Sequence, residues 1–361
     1  MTLVLYKSRD QGRLGRMSGW VRANFFAGVA SGLTTILLSL VALAVLTRFL
    51  DWSVLNAVWT APPGDSSPCR AVHDGACWAL VGEKYRFMLF ATYPYEAQWR
   101  PATACVLLIG LYVISAIPAC WRRGLLLVWV AGLVAVAVLM WGGVAGLSFV
   151  PQDKWGGLPV TLLLSTFGIL AAFPAGILVA LGRQATALPA IRIMCIGYIE
   201  LIRGVPLVSL LFMASFVFPL FLPQGIDIDK LLRAQLALIL FSAAYIAEVV
   251  RGGLQSVPSG QVEGAMALGL RYWRIQMLII LPQALRNALP PLVSTAISIF
   301  KSTSLVLVVG IFDLLSSGKA SIVDPAWQGF GLEMFITISL IYFIFCFSMS
   351  RYSKYIERRL V

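Results

Sequence analysis

Charged side chains are scarce in this sequence. Only 12% of its 361 residues are charged, whereas 59% are hydrophobic, and an ordinary soluble domain is about one quarter charged. This shortage excludes a typical soluble domain and indicates a membrane protein. The formal net charge is +12, but the basic residues flank apolar stretches instead of clustering on one soluble face. The excess charge therefore indicates membrane topology and not nucleic-acid binding.

Metal-ligating side chains are also few. The sequence has one histidine, His73, and 6 cysteines. It has no C-x-x-C pair and no His/Cys cluster with metal spacing, so we expect no metal site. Cys69 and Cys77 lie in one polar segment. They would be able to form a disulfide if that segment faces an oxidising compartment, and the alternative is two free thiols.

Motifs for catalysis are absent or incomplete. The phosphate-loop pattern G-x-x-x-x-G-K-[ST] comes closest at Gly318 and Lys319, but Asp313 stands where its first glycine is required. No H-E-x-x-H or G-x-S-x-G occurs. Ser298 and Lys301 have the S-x-x-K spacing but lie in an apolar run without companion motifs. We therefore expect no catalytic residues in this chain.

Long apolar runs dominate the sequence. A membrane-spanning helix needs about 20 mostly apolar residues, and about eight segments meet that requirement. They are Phe25 to Leu50, Ala102 to Ala119, Gly124 to Val150, Pro159 to Gly182, Ile193 to Leu222, Leu231 to Val250, Arg286 to Gly310 and Gly331 to Ser350. The first 24 residues are too polar for a cleaved signal peptide, so the first run is retained. The predicted fold class is an all-α polytopic membrane protein. Pro206 and Pro219 predict that the fifth span is long, tilted or kinked.

The charges between these spans predict the orientation. Alternate connecting segments, including both termini, are rich in Lys and Arg and poor in Asp and Glu. The other segments contain more acidic than basic residues. Lys and Arg are enriched on the cytoplasmic side, so both termini are predicted to be cytoplasmic, which requires an even number of spans.

The predicted inner segment 251–285 contains no full span. Pro258 and Ser259 suit a helix start, with Ser259 as a candidate cap. Gly269 is expected to end or bend that helix. An amphipathic run from Leu270 to Leu281 follows, closed by Pro282. From these residues alone, the short helix either lies in a groove of another protein or lies on the membrane surface.

The spacing within this segment resembles the EAA loop of ATP-binding-cassette (ABC) importer permeases. That loop has Glu-Ala-Ala, three residues, Gly, nine residues, Ile, one residue and Leu-Pro. The departure here is Gly264, where the family usually has Ala. The resemblance implies a coupling helix that docks into a cytoplasmic ATPase. The implied coupling residues are Glu263, Gly264, Ala265, Gly269 and Pro282.

Further stretches resemble the polar amino-acid subclass of these permeases. They are Tyr198 to Leu207, Ala244 to Pro258 and Phe300 to Leu315, within a five-span permease domain at 155–358. A cytoplasmic tail (1–24) and a three-span extension (25–150) with an external loop (51–101) precede that domain. This architecture resembles the long permease subunit of general L-amino-acid and glutamate/glutamine/aspartate/asparagine transporters.

The resemblance implies import of polar L-amino acids across a bacterial inner membrane by alternating access. It also implies four partners: a second permease, a dimer of ATPase subunits, a periplasmic binding protein and the lipid bilayer. This chain would need no cofactor, because ATP and magnesium would bind the partner ATPase. The aromatic residues of the external loop either rest at the membrane surface or contact the binding protein.

Ionisable residues inside spans are costly and are candidates for function. Glu200 and Arg203 are three residues apart and are interpreted as a structural pair or a gate. Glu248 pairs with Arg251 or lines the translocation path. Lys301 stands beside Thr303 and Ser304. These three residues either line the substrate path, where Lys301 would suit a carboxylate, or form a structural cluster between helices.

The main alternative function is a stand-alone secondary transporter or channel for small polar solutes. Such proteins often contain internal repeats and broken helices near the membrane midplane. We find no convincing repeat, and this alternative leaves the EAA-like segment without a role.

Overall fold

A computed structural model describes residues 13–72, 74–122, 124–223, 225–226 and 228–360. The regular secondary structure of these residues is helical, apart from isolated β-bridges. The predicted all-α fold is therefore confirmed. Part of the predicted N-terminal tail lies outside the described residues, as does His73. The contacts divide the chain into two compact units, Met1–Ala79 and Leu80–Val361; the predicted domain boundaries stay predictions.

The first unit contains α1 (Arg13–Phe25), α2 (Val29–Leu50) and the short α3 (Ser67–Ala71). Cys69 and Cys77 form a disulfide, with their Cα atoms 5.5 Å apart. Backbone hydrogen bonds from Val58 to Ala76 and from Ala76 to Trp52 join the ends of the same segment. The structure thus selects the disulfide over the two free thiols, and the segment is held by a covalent link as well as by its backbone.

The second unit contains most of α4 and all the later helices. In chain order they are α4 (Trp78–Phe90), α5 (Trp99–Ala116), α6 (Leu125–Trp141), α7 (Leu158–Gln184), α8 (Pro189–Gly204), α9 (Leu207–Phe212), α10 (Lys230–Gln255), α11 (Ser259–Ala267), α12 (Tyr272–Ile275), α13 (Leu281–Ser302), α14 (Leu314–Ser321) and α15 (Gly331–Leu360).

Six segments of the described chain are helical, long and apolar enough to cross a membrane. They are Val29–Leu55, Tyr95–Ala116, Leu158–Gln184, Lys230–Gln255, Tyr272–Val309 and Gly331–Arg359. The fifth predicted span is instead the bent pair Pro189–Gly204 and Leu207–Phe221, which brings the number to 7 if the pair is one span. The third predicted span, Gly124 to Val150, corresponds to the shorter helix Leu125–Trp141. Its 17 residues are at the lower limit for a membrane span.

The bend in the fifth predicted span measures 104°. Pro206 has no N–H to donate to the preceding turn, and a proline disfavours helical backbone in the residue before it. Val205 is accordingly extended, with φ −101° and ψ 132°. The kink predicted from Pro206 is confirmed.

Glycines allow the long helices of the second unit to approach closely. A Cβ on Gly176 of α7 would lie 2.7 Å from Ile246 Cγ2. A Cβ on Gly253 of α10 would lie 2.4 Å from the backbone oxygen of Ala284 on α13. Small residues at such contacts are the usual means of packing membrane helices, because apolar burial alone does not drive association within lipid.

A buried apolar cluster links these helices to the segment that follows α10. We call it the loop-side core. Its buried members include Ala172, Ile199, Ala247, Val250, Leu254, Ala265, Ile275, Ile280 and Ala284. They come from α7, α8, α10, α11, α12, the turn after α12 and α13, so Ala265 of α11 shares one buried cluster with the long helices.

An ion pair joins α4 to the segment between α14 and α15. Lys84 Nζ lies 2.7 Å from Asp324 Oδ2, and Trp327 Nε1 donates a 3.1 Å hydrogen bond to Glu83 Oε1. The hydrogen bond from Lys84, with a second from the Ala326 N–H, lowers the pKa of Asp324. Desolvation lowers the pKa of Lys84, but hydrogen bonds to Asp324 and Glu83 outweigh it, so the pKa of Lys84 is raised.

We expect Lys84→Met to destabilise this contact by under about 1 kcal/mol, because the pair is partly exposed. Since the pKa of Asp324 is lowered and that of Lys84 is raised, the pair stabilises the fold between the two unfolded-state pKa values. Its contribution falls as pH drops through the lowered Asp324 pKa or rises through the raised Lys84 pKa. Hydrogen exchange of the 80–90 segment, compared in wild type and variant, should show a constant difference from about pH 5 to pH 9 that shrinks towards pH 3. A difference that is independent of pH would contradict this assignment.

Candidate coupling segment and translocation cavity

The helix α11 begins after Pro258, which occupies the cap position with φ −59° and ψ 141°. No side chain caps it, so the predicted Ser259 cap is wrong. Ser259 is instead the first helical residue, because the extended proline already takes the position where a capping side chain would stand.

Gly269 ends α11, as predicted. Its φ is +71°, and its N–H donates to Met266 O at 2.9 Å while the Leu270 N–H donates to Ala265 O at 3.2 Å. This pair of bonds is a Schellman motif, which needs a left-handed residue just after the helix. A Cβ here would meet nothing within 4 Å, so the requirement for glycine is one of backbone conformation and not of space.

Pro282 does not close the run before it, contrary to the prediction. Helix α12 continues through a π-helical turn, Gln276–Ile280, directly into α13. A π-helical turn changes the hydrogen-bond register just before the proline, where a regular helix would lose a bond and clash with the ring. The segment between the two long helices therefore shortens from 251–285 to 256–271.

Most of α11 is exposed. Ala265 is 1% exposed and anchors the helix in the loop-side core, whereas Met266 and Leu268 are 59% and 80% exposed. Glu263 is also exposed and makes no hydrogen bond or ion pair with the described residues. A Cβ on Gly264 would meet nothing within 4 Å, so packing within the chain does not demand this departure from alanine. This exposure fits both alternatives from the sequence, a groove of another protein and the membrane surface.

Five charged side chains form an ion cluster near the ends of α7, α8 and α10. They are Arg183, Glu200, Arg203, Glu248 and Arg251. Arg183 Nη1 and Arg203 Nη1 lie 3.1 Å and 3.7 Å from Glu248 Oε2. Arg251 Nη2 lies 2.5 Å from Glu248 Oε1, and Glu200 Oε1 lies 3.7 Å from Arg183 Nη1. Glu248 is thus the centre of the cluster.

The contacts in this ion cluster test the two ion pairs that were predicted from the sequence. The Glu248–Arg251 pair is confirmed. The Glu200–Arg203 pair within α8 is wrong, because Glu200 pairs with Arg183 of α7 and Arg203 with Glu248 of α10. Single pairs this exposed contribute about 0–1 kcal/mol. The significance of the cluster is that one carboxylate joins three helices.

A cavity of about 520 Å³ lies between α9, α10 and α13. Its lining includes five aliphatic hydroxyls, those of Ser242, Ser294, Thr295, Ser298 and Ser302, and the aromatic rings of Phe241 and Tyr245. Ser242 Oγ is buried and has no hydrogen-bond partner among the described residues. A buried polar atom usually has a partner, so this hydroxyl lacks one that a bound molecule would supply once the cavity wall moves to expose it.

The residues predicted for the substrate path border this cavity but do not line it. Lys301 is exposed on α13, next to the lining residue Ser302. Thr303 is fully buried and donates to Phe300 O, and Ser304 donates to Lys301 O. Glu248 lies in the ion cluster, one turn beyond the lining residue Tyr245.

Sequence reasoning did not single out the hydroxyl side chains of the cavity as a set. Ser294, Ser298 and Ser302 recur every four residues, which places them on one face of α13. That spacing was the available signal. The proximity of Ser242 on α10 to these hydroxyls could not be predicted from the sequence, because it depends on how α10 packs against α13.

A hydroxyl-lined cavity between membrane spans and an exposed helix outside them are both found in transport proteins. Residues 172–361 match the family of inner membrane components of binding-protein-dependent transport systems. The chain belongs to this family. The resemblance read from the EAA-like spacing is therefore confirmed.

Two relatives match nearly the whole chain. The inner membrane amino-acid ABC transporter permease protein YhdY of Escherichia coli K12 is 44% identical, over 94% of this chain and 92% of its own length. The glutamate/glutamine/aspartate/asparagine transport system permease protein BztC of Rhodobacter capsulatus is 36% identical, over 94% of this chain and 93% of its own.

A solved structure matches a shorter part. The crystal structure of an amino acid ABC transporter with histidines shares 32% identity, with a TM-score of 0.50, over 56% of this chain and 92% of that one. The two long relatives therefore cover parts of this chain that this structure does not.

Proposed function

We propose that this protein is the permease subunit of an ABC importer that moves polar L-amino acids from the periplasm to the cytoplasm. The observation that carries the proposal is α11, an exposed helix with EAA-like spacing that is anchored through Ala265 and ended by Gly269. The names of the two long relatives support amino acids as the substrate class.

The proposed assembly contains a second permease, an ATPase dimer that binds ATP and magnesium, and a periplasmic binding protein. The ATPase covers α11 and the residue after it, so that the exposed Met266 and Leu268 do not stand in water. Both termini lie in the cytoplasm of a bacterial cell, and the spans cross its inner membrane. The tail 1–24, the extension 25–150 and the permease domain 155–358 are the proposed domains.

The proposed mechanism is alternating access. Substrate-loaded binding protein docks outside, and closure of the ATPase dimer shifts α11, which opens the cavity outward; ATP hydrolysis resets it inward. Within the cavity, Ser242 and the hydroxyls of α13 bind the polar groups of the substrate. Lys301, with Thr303 and Ser304 beside it, borders the path, where its ammonium group attracts a carboxylate.

The test is uptake by the purified assembly in liposomes. This chain is co-expressed with its neighbouring permease and ATPase, and labelled glutamate, glutamine and arginine are supplied with a cognate binding protein. We expect uptake that requires both ATP and the binding protein. Uptake that proceeds without ATP and follows an ion gradient would favour the stand-alone secondary transporter instead.

The Ser242 hydroxyl provides a specific prediction. We expect Ser242→Ala to raise the KM for uptake about fivefold, because a single neutral hydrogen bond to the substrate is worth about 1 kcal/mol. The control is Ser348→Ala, which removes a hydroxyl that donates to Ile344 O within α15. An unchanged KM in Ser242→Ala, or equal changes in both variants, would contradict a substrate contact at Ser242.

A further inference from the structure

Glu248 connects α7, α8 and α10 by charge; the other ion pair between these helices in the described part of the chain is that of Arg183 with Glu200. Its Oε1 faces Arg251 of its own helix, and its Oε2 faces Arg183 of α7 and Arg203 of α8. Apolar contacts have little directional preference, whereas charge-assisted hydrogen bonds favour defined geometry. The carboxylate therefore adds a directional contact to those that already position α8, the apolar contact of Ile199 and the hydrogen bond that Tyr198 Oη donates to Leu240 O.

Arg203 stands directly before the bend of the fifth predicted span. Helix α8 ends at Gly204, the chain turns through 104°, and α9 begins at Leu207. Leu207 lines the cavity, as do Tyr245 and Val249 of α10. The Arg203 guanidinium also lies 5.6 Å from the Tyr245 ring centroid. A shift of Arg203 relative to Glu248 would therefore move one cavity wall against another.

Helix α10, which contains Glu248, also leads to α11. Helix α10 ends at Gln255, and α11 begins at Ser259. Ile199 of α8, Val250 of α10 and Ala265 of α11 are all buried in the loop-side core. The loop-side core therefore connects α11 to the part of the protein that contains Glu248.

We propose that Glu248 is a positioning residue that transmits movement of α11 to the bend between α8 and α9, and so to the wall of the cavity. This role rests on the proposed function. It differs from substrate binding, because Glu248 does not line the cavity and its carboxylate is already bonded by arginines. Without Glu248, α11 still docks onto the ATPase and ATP is still hydrolysed, but movement of α11 no longer opens the cavity.

The test compares uptake with ATP hydrolysis in the complete assembly in liposomes, using the best carried of labelled glutamate, glutamine and arginine. We expect Glu248→Gln to lower the number of substrate molecules moved per ATP at least tenfold while hydrolysis persists. Glu248→Asp, which keeps the charge, should stay within about threefold of wild type. The matched control is Glu200→Gln, which removes a 63% exposed carboxylate that makes one 3.7 Å contact, and it should leave the ratio within twofold.

A second variant serves if Glu248→Gln does not assemble. Arg203→Gln leaves Glu248 paired with Arg183 and Arg251 and should lower the same ratio at least fivefold. Uptake and hydrolysis that fall in parallel in the variants would show a merely structural role and overturn the inference, as would unchanged ratios. Wild-type protein that shows no ATP-dependent uptake would overturn the proposed function, and the inference with it.

Discussion

Glu263→Ala should abolish ATP-dependent uptake while leaving the protein folded. The side chain is exposed and makes no hydrogen bond or ion pair with the described residues, so its removal costs no contact within this chain. Alanine also favours a helix at least as well as glutamate does. The carboxylate is therefore available for a partner. Truncating one member of a buried, hydrogen-bonded charge pair costs about 2–5 kcal/mol, so affinity for the ATPase should fall at least about 30-fold.

Two measurements check this expectation together. Co-purification of the ATPase with the permease should fall in Glu263→Ala, and uptake in liposomes should fall with it. The control is Glu357→Ala, which removes another exposed glutamate on the predicted cytoplasmic side, in α15, and should change neither measurement. Full uptake in Glu263→Ala would refute α11 as the coupling helix.

Two neighbouring glycines should respond oppositely to the same substitution. A Cβ on Gly253 would lie 2.4 Å from Ala284 O and 2.9 Å from Ala288 Cβ, so the clash is with a neighbouring helix and not with a flexible side-chain end. Forcing α10 and α13 apart should destabilise Gly253→Ala by about 1–3 kcal/mol. A Cβ on Gly252 meets nothing within 4 Å, and replacing glycine by alanine within a helix gains about 1 kcal/mol.

Thermal unfolding in detergent checks this pair of variants. The melting temperature should fall for Gly253→Ala and rise for Gly252→Ala, and only the first should lose uptake at the growth temperature. Equal shifts in the two variants would mean that helix propensity, not the approach of α10 to α13, decides the outcome.

Local features of the chain were predictable because their causes lie within a few residues. Pro206 bends its span because a proline acts on its own turn and on the residue before it. Gly269 ends α11 because the left-handed position after a helix favours glycine. The prediction that Pro282 closes the run before it was wrong for a related reason. Its usual effect is also local, but the π-helical turn before it allowed the helix to continue.

The sequence by itself determined most of the helical spans, the position of the exposed helix and the EAA-like spacing that resembles the family. These properties depend on hydropathy and on separations along the chain. Only the tertiary structure decided which arginines surround Glu248, which hydroxyls share the cavity and how closely Gly253 approaches α13. Each of these depends on the rotation and crossing of packed helices. Sequence periodicity gives the face of a helix on which a residue lies, but not the neighbour that this face meets.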